Sequence, residues 1–244
     1  MDPREELWIE QKRLVDQVVE RLRDAIVSGR FRPGERIRQE QLAQQMGISR
    51  TPLRMALSVL TSQGLLHRTG ARRLTVPEFT YQEAMDLYLL REVVLGLACR
   101  LAAERVSDRQ LERLGTVMND SEKFVVAEDW PGWLRANEDL STLIGEAAGI
   151  GLLSNFLDAI CVQAQVFRST LLALPVGSAA PVANAAREHR AIYEAILARD
   201  PERAEQTARD HVRGARARYQ EACQLRERYE AGELAGAGEL AGAG

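Results

Sequence analysis

The chain has 244 residues, of which 45% are hydrophobic and 27% charged; this composition suits a globular protein of two domains. No run of about 18 apolar residues occurs, which excludes a membrane-spanning helix, and the acidic N-terminus lacks the apolar core of a signal peptide. We therefore expect a cytoplasmic protein with no membrane partner. Cys99, Cys161 and Cys223 are too few and too far apart for a disulfide framework or a zinc site, and they are predicted to be buried, reduced thiols.

The net charge of −3 argues against a nucleic-acid partner only when it is averaged over the whole chain. Between Arg21 and Pro77 there are eleven arginines and three acidic residues, a net charge of +8, which leaves −11 for the rest. Arginines scattered over a solvated surface are the simpler explanation, but they account less well for the motifs described next. A basic segment joined to an acidic one is typical of a DNA-binding head attached to a domain with another partner.

The first part of the chain has the pattern of a small helical head. Residues 1–10 show no hydrophobic periodicity and are predicted to be a flexible arm. Apolar residues then recur at helical spacing over residues 11–28, which predicts the first helix. A turn at Pro33-Gly34 leads to a second helical pattern that begins at Gln39.

The third helical pattern is typical of a helix that reads DNA. It follows a stop at Gly47 and begins after Ser49, an N-cap whose hydroxyl is expected to accept an N–H from the first turn. Apolar residues occupy one face of this helix, while Arg50, Thr51 and Arg54 project from its first turns on another. Two helices joined at a glycine turn, with Arg and Thr at the start of the second, predict a helix-turn-helix.

Two short strands follow this motif, over residues 65–69 and 72–76, around a turn at Gly70. The hairpin would form a wing with Arg72 and Arg73 near its tip. Arginines in that position can reach phosphates or enter the minor groove.

The fold prediction is therefore a mainly α protein of two domains. An N-terminal winged helix-turn-helix, with three helices and a two-stranded wing, is predicted over residues 11–78. An all-α antiparallel bundle of six or seven helices is predicted over residues 79–230, because no convincing strand pattern occurs after Thr80. Residues 231–244 repeat the sequence GELAGA and offer almost nothing to bury, so we expect a low-complexity tail.

The order of these motifs resembles a known family. The resemblance rests on the segments "LRDAIVSGRFRPGERI", "LAQQMGISRTPLRMAL", "QGLL", "LYLLREVVLGLACRLAAE" and "EHRAIYEAILARDPERAEQTARDHV". Together they resemble the GntR family of bacterial regulators, in its FadR-type subfamily with an FCD effector domain, from Val15 to about Gln224. The resemblance implies a homodimer that binds a two-fold DNA operator and a helical domain that senses a small molecule. An organic acid is our candidate for that molecule.

The resemblance also implies which residues contact DNA. Arg50, Thr51 and Arg54 match the family's recognition-helix contacts, and Gly70 and Arg72 match its wing tip. With Ser49 at the start of that helix, Arg73 of the wing and Arg38, the full predicted set is Arg38, Ser49, Arg50, Thr51, Arg54, Gly70, Arg72 and Arg73. Two departures from the family pattern matter. Met55 stands where the family usually has Glu, which loosens the orientation expected for Arg54. "RQEQLA" lacks the Arg that many relatives carry beside the Glu, and we expect Arg38 to supply that contact from a shifted position.

Many relatives bind a divalent metal through one Asp and three His in the helical domain, and this chain has lost half of that set. His189 and His211 match two of the histidines, whereas Asn137 stands at the Asp position and Ser141 at the third His position. A neutral amide and a hydroxyl are poor ligands beside two imidazoles. We therefore expect no cofactor and no tightly bound metal; His189 and His211 would hold one if any residues did.

We expect the same four residues to line the effector pocket as hydrogen-bonding groups, joined by Arg91 or Arg168 as partners for an anionic effector. The simpler interpretation makes the two histidines satisfied core residues and leaves the arginines on outer helix faces. Two other functions stay open at this point. One is a DNA-binding protein without an effector, and the other is a metal-dependent small-molecule enzyme built on the helical bundle, although no nucleophile–base pair is visible.

Overall fold

The computed structural model describes residues 3–69, 73–172 and 180–230. The chain divides into two compact units, residues 1–80 with 165–170 and residues 81–164 with 171–244. Each unit is described separately. The elements of the first unit are α1 (Pro3–Val27), α2 (Gln39–Met46), α3 (Arg50–Ser62), β1 (His67–Thr69) and β2 (Arg73–Thr75). This is the predicted winged helix-turn-helix.

Helix α1 begins at Pro3, so the prediction of an arm over residues 1–10 and a helix from Gln11 was wrong about the start of the helix. The intervening residues are mostly good helix formers, and proline suits the first position of a helix. The absence of an apolar stripe therefore does not end the helix. Further along, Val15, Val18 and Leu22 are buried at helical spacing, and α1 packs against α3.

The turn between α2 and α3 is made as predicted, except for its cap. Gly47 ends α2 in the left-handed region, at φ 65°, where glycine has no Cβ penalty. Ser49 occupies the N-cap position of α3, but its hydroxyl makes no capping hydrogen bond. Pro52, the third residue of the helix, removes one of the two amides that usually donate to an N-cap oxygen, because proline has no N–H.

The wing is shorter than predicted. Strands β1 and β2 pair antiparallel with Arg68 opposite Leu74, and the preceding Leu65 and Leu66 are buried in the core instead of extending the first strand. The segment after the Pro33-Gly34 turn lies along the free edge of β2, where Arg36 and Thr75 form a bridge. That pairing joins the α1–α2 connection to the wing.

The second unit contains six helices within its described residues, in agreement with the predicted bundle. They are α4 (Tyr81–Arg105), α5 (Asp108–Val126), α6 (Trp130–Ala148), α7 (Gly151–Leu172), α8 (Ala180–Leu197) and α9 (Pro201–Glu230). Helix α4 packs against α6, α8 and α9, and α5 packs against α6 and α8. The tail over residues 231–244 lies outside the described residues. No helix in the described ranges is both long and apolar enough to cross a bilayer.

Local signals explain where these helices begin. Ser107 and Gln110 form a reciprocal capping box at the start of α5. Asp129 accepts the amide of Gly132 at the start of α6. Cys99 and Cys161 are buried free thiols, as predicted, whereas Cys223 is only half-buried.

Candidate DNA-binding surface and effector site

Helix α3 separates its apolar and basic residues onto different faces. Leu53 and Leu57 are buried in the first unit, whereas Arg50, Thr51 and Arg54 are exposed on the first two turns. This separation follows from the 3.6-residue period of the helix. The side chains that the sequence assigns to DNA reading are therefore accessible to a duplex.

An open groove of about 670 Å³ runs beside this face, within the first unit. The arginines that line it come from the α1–α2 connection, from α3 and from β1: Arg36, Arg38, Arg50, Arg54 and Arg68. Thr51 also lines the groove, and Glu40 is the one acidic residue among its lining residues. Five guanidinium groups around one groove favour the phosphates and base edges of DNA as its occupant.

The remaining predicted DNA-binding residues lie close to this groove along the chain or outside the described part. Ser49 is exposed at the start of α3, next to Arg50 of the groove. Arg73 is exposed on β2, opposite Thr69, while Gly70 and Arg72 lie outside the described residues. Sequence reasoning did not assign Arg36 and Arg68 to the surface, because only the pairing of the wing strands brings them to it.

In the second unit, Arg91 of α4 is a buried cation with few partners. Its side chain is 2% exposed, and one terminal nitrogen lies 3.5 Å from Nε2 of His211 on α9. Its Nε and its other terminal nitrogen find no acceptor in the described part of the protein. The guanidinium also lies 5.9 Å from the ring centre of Tyr88. A buried guanidinium with two unused N–H-bearing nitrogens fits a planar anion such as a carboxylate.

His211 connects Arg91 to a second, paired arginine. Its Nδ1 lies 2.8 Å from a carboxylate oxygen of Glu188 on α8, and Arg218 donates to both oxygens of that carboxylate at 2.8 and 2.9 Å. Because Arg91 can only donate, Nε2 of His211 is the acceptor and Nδ1 carries the proton that Glu188 accepts. Sequence reasoning missed Glu188 and Arg218, although Glu188 directly precedes His189 in the chain.

Burial and the contacts among Arg91, His211, Glu188 and Arg218 shift the pKa values of His211 and Glu188. Burial lowers the pKa of His211 to about 4, an effect that the Arg91 charge reinforces and the Glu188 hydrogen bond opposes. Burial of the Glu188 carboxyl would raise its pKa, but hydrogen bonds from His211 and Arg218 lower that pKa to about 2. At neutral pH the imidazole of His211 is therefore neutral and the Glu188 carboxylate is ionised.

Aromatic rings extend the site from His211 toward α6. The ring centres of His189 and His211 are 4.6 Å apart, and Trp133 stacks on His189 at 6.3 Å. Trp133, Asn137 and Ser141 are buried at successive four-residue steps along α6, which places them on one face of that helix. The Ser141 hydroxyl donates to the Asn137 carbonyl, and the indole N–H of Trp133 finds no acceptor among the described residues.

The structure thus brings three predicted effector-site residues into direct contact: Arg91, His189 and His211. Asn137 and Ser141 lie on the same face of α6 as Trp133, which stacks on His189. The side chain of Arg168 lies outside the described part. Within residues 3–69, 73–172 and 180–230, no three His, Cys, Asp or Glu side chains are grouped as a metal site. The site is instead rich in hydrogen-bond donors.

Comparison with known proteins agrees with both halves of this description. Residues 14–76 match the family model described as bacterial regulatory proteins, gntR family, and residues 86–214 match the FCD domain model. The chain is 39% identical to the Nta operon transcriptional regulator of Aminobacter aminovorans over 114 residues, which are 47% of this chain and about half (51%) of that protein.

Longer matches cover both units. The chain is 30% identical to the probable D-xylose utilization operon transcriptional repressor of Paenarthrobacter nicotinovorans over 201 residues, 80% of this chain and 85% of the relative. The solved structure of E. coli McbR/YncC has the same fold, with a TM-score of 0.73 at 22% identity, and the match covers 85% of this chain and 98% of that one. These relatives are similar to the chain over its basic head and its helical body alike.

Proposed function

Because this chain belongs to the GntR family of bacterial regulatory proteins and carries an FCD domain, it is a DNA-binding transcriptional regulator with an effector-binding domain; we propose that it is a cytoplasmic, homodimeric repressor whose operator affinity is controlled by an organic acid. The observation that carries the effector class is the buried guanidinium of Arg91. The repressor assignment is supported by the name of the Paenarthrobacter relative. The enzyme alternative has no support in these relatives, which are named as regulators.

DNA reading by α3 supports a first prediction. The Arg54→Ala variant is expected to lower operator affinity by about 1–3 kcal/mol, because an exposed arginine of the recognition helix loses its contacts with a base edge or phosphate. Fluorescence anisotropy with an operator selected by the wild-type protein measures this loss. Arg109→Ala, on the exposed surface of α5 in the second unit, serves as a charge-matched control and is expected to bind normally. Equal affinity of Arg54→Ala and wild type would remove Arg54 from the DNA-reading set.

An exposed apolar face in the second unit supports the homodimer. Helix α4 exposes Leu89, Leu90, Val93 and Leu97 at spacings that place them on one side. Helix α7, whose Ile160 packs in one core cluster with Leu87 of α4, exposes Leu152 and Phe156. Monomeric proteins seldom leave such a patch open to water. A second copy of the chain would cover this face, and the resulting dimer would also present two recognition helices to one two-fold operator.

This face yields a second prediction. The Val93→Asp variant is expected to weaken self-association by about 2–4 kcal/mol, because a carboxylate would be buried at the centre of the interface. Analytical ultracentrifugation over a concentration series measures the change. The control is Val126→Asp, which puts the same charge at an exposed valine near the end of α5. A Val93→Asp protein that dimerises as tightly as the control would exclude this face as the interface.

The effector proposal begins from the cost of burying a charge. A guanidinium with two unused nitrogens in the protein interior is unfavourable unless an anion completes it. Trp133 and Asn137 add neutral groups on the face of α6 that faces His189. A small carboxylate or hydroxy acid supplies the negative charge and acceptor atoms that such a site requires. A thermal-shift screen of organic and sugar acids tests the class, since specific ligands stabilise the folded state by mass action.

We also infer that the site works without a divalent metal, because its residues do not fit one. Asn137 and Ser141 stand where the metal-binding pattern has Asp and His, and the Ser141 hydroxyl is engaged with a backbone carbonyl. The lone pair of His211 Nε2 faces the Arg91 guanidinium, whose charge would repel a cation held there. In this chain the arginine takes the place of a metal as the positive group of the site.

A further inference from the structure

Helix α2 places one carboxylate among the arginines of the DNA-binding groove. Glu40 lies in the first turn of α2, and its Oε1 is 2.9 Å from a terminal nitrogen of Arg50 on α3. Both side chains remain largely exposed, at 76% for Glu40 and 79% for Arg50. The pair therefore lies on the surface that a duplex would cover, and it is the acidic exception on a surface otherwise lined by five arginines.

An exposed ion pair contributes little to the stability of a fold, so stability is a weak reason for this carboxylate. Its position makes it unfavourable for DNA affinity, because it stands beside groups that approach phosphates. The geometry has one clear effect on Arg50. One edge of the guanidinium is engaged by Glu40, so the pair favours one direction of the arginine side chain over its other rotamers.

From these contacts we propose that Glu40 is a positioning and specificity residue for DNA reading. The carboxylate orients Arg50 so that its remaining N–H groups face a base edge, and it repels phosphates that would otherwise capture the same arginine. Binding to arbitrary sequence is weakened, and discrimination at the base pair beneath Arg50 is sharpened. The proposal rests on the DNA-reading function proposed above.

The test uses the full-length protein in two assays. The first measures affinity for a random-sequence duplex of about 30 base pairs by anisotropy across a sodium chloride series. Glu40→Gln is expected to bind this duplex about 3–10-fold more tightly than wild type, because the repulsion is removed. The salt dependence of binding should become steeper by about 0.9 in log–log slope for each Arg50 that becomes free to neutralise a phosphate.

The second assay selects duplexes from a randomised pool and compares the enriched motifs by sequencing. The Glu40→Gln motif is expected to lose base preference at one position per half-site and to keep the others. Glu40→Asp retains the charge but is one methylene shorter. It should keep the weak random-duplex affinity of wild type and lose base preference at the same position of the motif. Glu20→Gln removes a charge from the exposed face of α1, away from the groove lining, and should change neither assay.

The outcomes separate the inference from the function on which it rests. A wild-type protein that enriches no motif overturns the DNA-reading function itself. A wild-type motif that Glu40→Gln reproduces unchanged, with equal affinity for the random duplex, overturns only the role of Glu40. Circular dichroism melting of each variant verifies that the compared proteins are folded, and a destabilised Glu40→Gln is replaced in both assays by Glu40→Ala.

Discussion

Replacing Arg91 with methionine is expected to abolish the response to organic acids and, in the same protein, to raise the stability of the ligand-free state. Methionine fills similar space without a charge, so the buried guanidinium and its two nitrogens without acceptors are removed together. We expect the free energy of unfolding to rise by about 1–3 kcal/mol. Anion affinity should fall by about 100-fold or more, because two charge-assisted hydrogen bonds are lost.

Urea unfolding without ligand and thermal shift with ligand measure the two effects. Arg113→Met is the matched control, because Arg113 is an exposed arginine of the same unit that pairs with Glu146. It should retain the ligand response and gain no stability. Dialysis against EDTA is expected to leave the ligand response of wild type unchanged, as a site without metal requires. An Arg91→Met protein that still responds to the same acid would contradict the proposed contact.

Acidification is expected to destabilise the second unit in two steps that the contacts around Glu188 determine. The pKa of His211 is about 4 in the folded protein, below the ordinary 6.5, because the ring is buried. Between these values the unfolded chain binds a proton that the folded protein does not, so stability falls as the pH falls. The expected loss is about 2 kcal/mol from pH 7 to pH 5.

The Glu188 carboxylate acts in the same direction at lower pH. Its pKa is lowered from 4.5 to about 2, so the stability it contributes is present above pH 4.5 and is lost as the pH falls from there toward 2. Urea unfolding at a series of pH values measures both steps. His211→Asn is the decisive variant, because its amide can still donate to Glu188 but does not titrate. If it lost as much stability as wild type between pH 7 and pH 5, the first step would not belong to His211.

The sequence predicted the architecture well because hydrophobic periodicity reports directly which face of each helix is buried. That is why Arg50 and Arg54 were placed on a different face from Leu53, and why a bundle of six or seven helices was predicted for the second unit. Hydrophobic periodicity gives no signal where a helix has no buried face, and this explains why the start of α1 at Pro3 was not predicted. The cap at Ser49 failed for a local reason, the proline three residues later.

The candidate sites were less accessible to sequence reasoning, because they depend on contacts between distant parts of the chain. Nothing local indicates that Arg36 and Arg68 share a groove with α3, or that Glu40 reaches Arg50. In the second unit, the family resemblance pointed to His189 and His211, but the partners Glu188 and Arg218 become visible only when α8 and α9 are packed together. The roles of all these residues in binding stay predictions.

The missing capping hydrogen bond of Ser49 has a consequence for how the recognition helix binds DNA. The first amides of any helix lack partners inside it, and here the residue placed to satisfy them does not do so. Those amides, together with the positive end of the α3 dipole, are therefore available to an outside oxygen. A phosphate at this turn would accept hydrogen bonds from the amides of Arg50 and Thr51, since Pro52 has none, so the operator itself would complete the end of the helix that reads it.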